Sequence, residues 1–540
     1  MSNLRYAFMK YHFAFRSFFA GLLIPCGFAP FHMPGLAILG MALLFLQLNQ
    51  TSLKQSLKQS FLSGFVFGLG LFSLGVSWVY VSIHDYGHLP SPLAGLITLV
   101  FIAYLALYPA CVAMLYQHLA TQRALLLNCF SFSALWSLSE YLRATVFSGF
   151  PWLLLGTSQM DTPLQYLLPV FGVFGVGFLA CFAAASLAVG IQSTRTKRNH
   201  WIIAGILILL APSAFKNHTW TTTETTPVSV GIIQANLSMR DKWDEALFWQ
   251  LLQRYEDYIG QLIGKKQLIV MPESAIPVPS NYVSDFLSLL DQQASTAGSA
   301  VILGIPEPTT TENTAYYNTL TTLGDAQGSY VKQHLVPFGE FIPEPLQALN
   351  HWLALPSANM TPGKDAQPLV RVHNHPIASL ICYEVAYPQL LRKQLPEAEW
   401  IVSISDDGWF GHSLAAYQHV QMSQVLSLQT GRFQIVANND GLSSIINTKG
   451  HIEASLPAFQ SGVLNATIHP SHGATPWVSF GDVPVFIMSF IILLMAYLRR
   501  AQIQLRNRNL SVANELSTDP SIISAIMKQK KRGKPLCHDI

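Results

Sequence analysis

The chain changes hydrophobic period twice. Eight long apolar segments, at 17–31, 34–48, 60–83, 92–117, 124–147, 164–191, 201–215 and 483–498, hold few charged side chains. Roughly 20 apolar residues cross about 30 Å of hydrocarbon, so several of these segments predict membrane-spanning helices; the second, seventh and eighth are short for that task. From Val228 the pattern shifts to short β-rich runs alternating with amphipathic stretches. Val228–Gln234, Leu268–Met271, Ala300–Gly304, Ile377–Ile381 and Trp400–Ser405 predict buried strands. Trp243–Ile263 and Asn281–Ala297 predict helices, and 318–331 and 433–452 predict strand pairs turning at Gly324–Gly328 and Lys449-Gly450. Such alternation argues for a layered α/β domain.

Composition supports two parts. The 540 residues are 50% hydrophobic and only 11% charged, with a mean hydropathy of +0.32. The net charge of +3 is too small to argue for nucleic acid. The expected division is a membrane domain over 1–216, a soluble domain over 217–475, a last span over 476–500 and a basic tail over 501–540. Basic residues orient the spans. Arg5, Lys10 and Arg16 precede the first; Lys54 and Lys58, Arg123, then Arg195, Lys197 and Arg198 fall in alternate loops; Arg499 and Arg500 follow the last. The positive-inside rule places both termini in the cytoplasm and the soluble domain outside. Glu140 and Arg143, one helical turn apart, are expected to pair. Trp78–Ile83 and Gly149–Trp152 read either as an interfacial aromatic belt or as the lining of a lipid access groove. The tail, with its basic run Lys528–Lys534, reads as a flexible segment near anionic lipid.

Candidate chemistry gathers at strand ends. The apolar run 377–381 stops at Cys382-Tyr383-Glu384, Leu268–Met271 stops at Pro272-Glu273-Ser274, and the first hairpin ends at Lys332, eight residues before Glu340. Cys26, Cys111, Cys129 and Cys181 lie in apolar runs and Cys537 in the basic tail, so the soluble domain holds no disulfide partner for Cys382. A thiol becomes a nucleophile when a carboxylate takes its proton, and an ammonium steadies both the thiolate and the oxyanion that follows. Each residue alone has a bland reading: Cys382 as a small buried hydrophobe, Glu273 as a residue opening a helix, Lys332 as strand surface, Glu340 as a loop carboxylate. The combination is more specific than any member. No His/Cys cluster shows ligand spacing, and His373 and His375 read as a surface strand, so no metal or other cofactor is expected.

These motifs resemble the nitrilase superfamily, whose catalytic Glu-Lys-Cys set sits on an α-β-β-α sandwich. With the spans included, the chain is similar to the apolipoprotein N-acyltransferase family up to about residue 500. The resemblance is carried by Trp78–Ile83, Gly149–Trp152, Lys242-Trp243-Asp244-Glu245, Pro272–Pro277, His334–Phe341, Cys382-Tyr383-Glu384 and Trp409-Phe410-Gly411. It implies Cys382 as nucleophile, Glu273 as general base and Lys332 as oxyanion stabiliser. Glu340, Asn318, Tyr383 and Glu384 would support them, and Trp243, Phe150, Trp152, Phe338 and Trp409 would meet lipid, with Trp243 on a mobile arm. It also implies a bacterial inner-membrane enzyme with a periplasmic catalytic domain, a membrane phospholipid as acyl donor and a diacylglyceryl apolipoprotein as acceptor. Asp406, Gln429, Phe433, Val436 and Asp440 depart from the usual family pattern. A membrane-tethered amidase, and a transporter or scaffold with a dead site, are the other readings of the same architecture.

Overall fold

In the computed structural model, residues 14–51, 56–121, 124–309, 315–342 and 359–518 are described. Arg5, Lys10, Lys54, Arg123, Cys537 and the run Lys528–Lys534 lie outside them.

Short strands buried on both faces need cover on both sides, and the soluble part supplies it as four layers. A six-stranded sheet and a seven-stranded sheet stack face to face. Val230, Ile232, Val270 and Ile302 from one meet Ile377, Val402, Ile404 and Ile435 from the other. Ile233, Ile269 and Val301, each adjacent in sequence to one of these, point outward onto the helices Phe248–Leu262 and Ser284–Thr296. This is the period of two that a pleated strand imposes. Behind the seven-stranded sheet lies the helix Ala415–Thr430. Its apolar side, with Ala378, Leu380 and Ile401, is continuous with the core of the apolar helices.

Each sheet has a parallel centre: Val228–Gln234, Leu268–Val270 and Ala300–Pro308 in one, His375–Ile381, Ile401–Ser405 and Gln434–Asn438 in the other. Parallel strands deliver all their carboxyl ends to one edge. Tyr316–Gly324 and Ser329–Val331 form the antiparallel pair expected around Gly324–Gly328, and between them Ala326–Gln327 leaves to join Val370–Val372 in the other sheet.

Among the described residues, five helices are long and apolar enough to cross a membrane: Leu57–Gly75, Ser91–Leu119, Pro163–Gln192, Arg195–Phe215 and Val483–Ser511. Ala14–Gly27 and Pro34–Asn49 are shorter apolar helices. Leu125–Thr145 has 21 residues but includes Asn128, Ser131, Ser133, Ser137, Glu140 and Arg143 among its buried positions, which lowers its hydropathy.

Several expectations need correction. The helix expected from Trp243 begins at Phe248, because Asp244 accepts a hydrogen bond from Ala246 N at 2.9 Å and starts a separate turn, Glu245–Leu247. Arg195, Lys197 and Arg198 lie in the first turns of a helix rather than in a loop. The last helix does not stop near 500 but runs to Thr518, since 499–518 holds no glycine or proline to end it. Glu140 and Arg143 do not pair. Glu140 Oε1 accepts from Leu155 N at 2.8 Å, while Arg143 Nη1 donates to the carbonyls of Phe150 (2.8 Å) and Trp152 and its guanidinium lies over the Phe72 ring. Both side chains brace the loop after their own helix, whose carbonyls and N–H groups have no ladder to join.

Arg143→Met removes the donor from two carbonyls at once, and is expected to cost about 2 kcal/mol. The measurement is the apparent melting temperature in detergent; no change would mean that water satisfies these carbonyls.

Candidate active site

The carboxyl ends of the parallel strands bring Glu273, Cys382, Asp406 and Asn439 to one edge, and the hairpin of the six-stranded sheet adds Asn318 and Lys332. Glu273 follows Leu268–Val270 through Met271-Pro272. Its chain runs so close to the neighbouring strand that a Cβ on Gly304 would lie 2.6 Å from Glu273 Cα and 2.5 Å from Ser274 N. Only glycine fits there. Lys332 N donates to Asn318 O at 2.9 Å, so these two side chains emerge together.

Lys332 is 1% exposed, and its Nζ lies 2.9 Å from Glu340 Oε1 and 3.2 Å from Glu273 Oε1. Asn318 Nδ2 donates to the same two oxygens at 2.7 Å (Glu273) and 2.8 Å (Glu340). The remaining oxygens are held from the backbone, Glu273 Oε2 by Asp406 N at 3.1 Å and Glu340 Oε2 by Val336 N at 2.7 Å. Burial works against the Lys332 charge, but Glu273 and Glu340 outweigh it and hold the ammonium well above its ordinary range. Glu273 Oε2 has one donor only, which leaves it a lone pair for a proton.

Cys382 opens the turn after His375–Ile381 with φ +54°, a left-handed conformation that non-glycine residues adopt at a cost. Burial and then Glu273 push its thiol well above 9.0, while Lys332 and a hydrogen bond with Ser405 pull the other way. Two buried networks hold the turn. Glu384 accepts from Ile381 N (2.8 Å), Gln333 N (2.7 Å), His334 N (3.1 Å) and Tyr330 OH (3.0 Å), tying the Cys382 turn to the segment that follows Lys332. Burial pushes its carboxyl up to about 7, against the pull of those N–H groups. His419 Nε2 faces Cys382 O at 3.0 Å and its Nδ1 faces Asp407 Oδ1 at 2.9 Å. Both partners only accept, so both ring nitrogens carry hydrogen. Burial opposes that charge, yet Asp407 outweighs it and raises the ring above 6.5.

The aromatic residues fall into two groups. Trp243, Phe338 and Trp409 are 47%, 44% and 41% exposed around the site. Trp152 is fully buried, between Trp78 at 5.0 Å, Tyr383 at 6.4 Å and Phe410 at 6.4 Å, with Phe150 stacked at 6.2 Å. Trp78 and Trp152 thus sit at the joint between the apolar helices and the Cys382 turn, and Tyr383 OH donates to Gly149 O at 3.3 Å across it.

Sequence reasoning assigned no role to Lys242, Asp407, His419, Asn438 or Tyr330. Asp407 could have been suspected from its place at the end of Ile401–Ser405. For His419, twelve residues further on a helix, no local signal exists. One group of metal-ligating side chains comes together among the described residues, Glu224, Glu399 and His472 within 4.8 Å. Each carboxylate already meets an imidazole there, Glu224 with His472 and Glu399 with His375, both at 2.6 Å. His375 and Glu399 stand at the opposite strand ends from Cys382, so the group is no part of this site.

Residues 20–186 match the apolipoprotein N-acyltransferase N-terminal domain, and residues 229–475 match carbon-nitrogen hydrolase. Apolipoprotein N-acyltransferase from Pseudomonas syringae pv. tomato is 36% identical over 482 residues, covering 88% of this chain and 94% of that protein. The protein of the same name from Methylococcus capsulatus is 37% identical over 483 residues, 89% and 95% respectively. The chain belongs to the apolipoprotein N-acyltransferase family. It is a membrane protein with a carbon-nitrogen hydrolase domain of the nitrilase superfamily. Among solved structures, the amidase from Nesterenkonia sp. AN1 aligns at 16% identity and a TM-score of 0.35, over 49% of this chain and 98% of that one.

If Cys382 rests as a thiol whose thiolate form Lys332 steadies, labelling by iodoacetamide should still be rising at pH 9.0, the ordinary cysteine value. Lys332→Met should slow labelling about tenfold; a wild-type plateau below about pH 8 would indicate a preformed thiolate.

The raised value of His419 sets a sign for stability. Its contribution is complete below the unfolded value near 6.5 and is lost as pH rises through the higher folded one. The melting-temperature deficit of His419→Asn should therefore shrink from about pH 6 to about pH 9, whereas a constant deficit would mean a neutral ring.

Proposed function

We propose that this acyltransferase moves an acyl chain from a membrane phospholipid, through a thioester on Cys382, to the α-amino group of a diacylglyceryl-cysteine on an apolipoprotein. The observation that carries the reading is the buried cluster of Glu273, Lys332, Asn318 and Glu340 beside a strained cysteine turn. Glu273 Oε2 takes the thiol proton as sulfur attacks the ester carbonyl. Lys332 steadies the oxyanion, which collapses to thioester and lysophospholipid as Glu273 returns the proton to the leaving oxygen. The acceptor amine then attacks the thioester and gives its proton to Glu273; the C–S bond breaks, Glu273 returns that proton to the Cys382 sulfur, and the acyl chain leaves in amide linkage. Ping-pong kinetics follow. Glu340, Asn318 and Glu384 hold this set, and the exposed Trp243, Phe338 and Trp409 meet the acyl chains. Phe150 and Trp152 serve from beneath, as packing for Tyr383.

In this reading the apolar helices within 1–216 and 476–500 make eight crossings of a bacterial inner membrane. Residues 217–475 face the periplasm, and both termini, with the tail 501–540, lie in the cytoplasm. The continuous apolar core between the helices and the sheet behind Cys382 supports it, since both substrates carry acyl chains and must arrive from the bilayer.

Intact-mass spectrometry after incubation with phospholipid tests the transfer. The expected result is one added acyl mass on the wild-type protein, absent from Cys382→Ala, that disappears when a diacylated lipopeptide is supplied and reappears on its amine. Discharge to water alone would make the protein a hydrolase. No acylation at all would remove Cys382 as the nucleophile.

A further inference from the structure

Lys242 is a buried cation beside the site that the transfer scheme leaves without a step. It ends the turn Met239–Lys242, on the arm that leaves Val228–Gln234; Ser238 starts the turn by accepting from Asp241 N at 3.1 Å. The Lys242 side chain is 1% exposed, although its neighbour Trp243 is half in solvent. Its ammonium donates to the carbonyl oxygen of Glu273 at 3.0 Å and to the carboxylate of Asp406. Asp406 is fixed in its turn. Its Oδ1 accepts from Gly408 N and Asn439 Nδ2, both at 3.2 Å, and its N donates to Glu273 Oε2 at 3.1 Å. Asn439 then returns to the arm, accepting from Leu237 N at 3.0 Å and donating to Leu237 O at 2.8 Å.

The result is a closed ring of hydrogen bonds joining the arm, Glu273, Asp406 and Asn439. It reaches Glu273 at two points, the peptide carbonyl behind the side chain and Oε2, the oxygen left with a lone pair. An ammonium and a carboxylate taken out of water together gain little stability over an apolar pair of similar size. Two apolar side chains could anchor the arm as well. They could not hold the Glu273 carbonyl, nor keep the Asp406 peptide N–H aimed at Oε2.

We propose that Lys242 is a positioning residue for proton transfer, setting the orientation of Glu273 through its backbone carbonyl and through Asp406. The proposal rests on Glu273 being the base. Lys242 touches no reacting atom. Losing it frees the Glu273 peptide and leaves the Asp406 carboxylate without its counter-charge, so the step that suffers is the proton transfer rather than capture of the lipid, whose chains meet other surfaces.

The experiment uses the full-length protein in mixed micelles of detergent and phosphatidylethanolamine. Quenched intact-mass measurement follows Cys382 acylation against donor concentration. Lys242→Met is expected to lower the saturating rate about 30-fold while the half-saturating donor concentration stays within about threefold, and Lys242→Arg to recover to within about fivefold of wild type. Melting temperatures report folding separately. If Lys242→Met does not fold, Lys242→Met/Asp406→Asn, which leaves no unpaired buried carboxylate, is read in its place. A saturating rate within about threefold of wild type, or a loss confined to the half-saturating concentration, overturns the proposal. Glu273→Gln, run in parallel, separates the two readings: wild-type acylation there overturns the base assignment and this proposal together, whereas an inactive Glu273→Gln beside an active Lys242→Met overturns only the role of Lys242.

Discussion

A single buried ammonium shared by two carboxylates is the constraint on which the site depends. Lys332 cannot be buried alone, because an uncompensated charge away from water is too costly. Glu273 and Glu340 cannot approach each other without it, because like charges repel. Asn318 bridges the same two oxygens, so that both Lys332 and Asn318 engage Glu273 through Oε1 and leave Oε2 to the Asp406 N–H. The cluster thus dictates that a hairpin end, a strand end and a loop converge within hydrogen-bond reach. Each of those elements must then be held by something else.

What holds them is the stacking of two sheets with parallel centres. The carboxyl ends of Leu268–Val270 and His375–Ile381 come to one edge because the two sheets share a dry interior, and the close passage at Gly304 sets how near Glu273 can lie. On the far side, the Cys382 turn leans through its own Tyr383 on Trp152, and both rings join the apolar core of the helices. Glu140 and Arg143 contribute there by bracing the Phe150–Leu155 loop instead of each other. The same charged residues that would be expensive in lipid are thereby used to order the joint between the two parts.

Glu384 and His419 show a second use of buried charge. Neither reaches the reacting atoms; each closes on backbone atoms of the Cys382 turn and stabilises a left-handed residue that would otherwise relax. Such backbone strain persists only where its surroundings over-determine it.

Much of this was legible in the order of residues. Strong apolar segments, strand runs and the polar groups at their ends follow from local patterning, so the two-part architecture and the polar residues Glu273, Lys332, Glu340 and Cys382 could be picked out before any geometry, whereas Asn318 followed only from the family resemblance. Helix boundaries were less legible where capping decides them, as at Asp244, and where nothing stops a helix, as after Arg499. Tertiary structure alone decided which charges pair. Glu140 chose a loop N–H over Arg143 one turn away, Asp407 met a histidine on another element, and Lys242, in an exposed-looking turn, found two buried oxygens from distant strands. The reason is physical: periodicity reports which side of an element is apolar, whereas a hydrogen bond between segments far apart in the chain exists only once packing has removed water from between them.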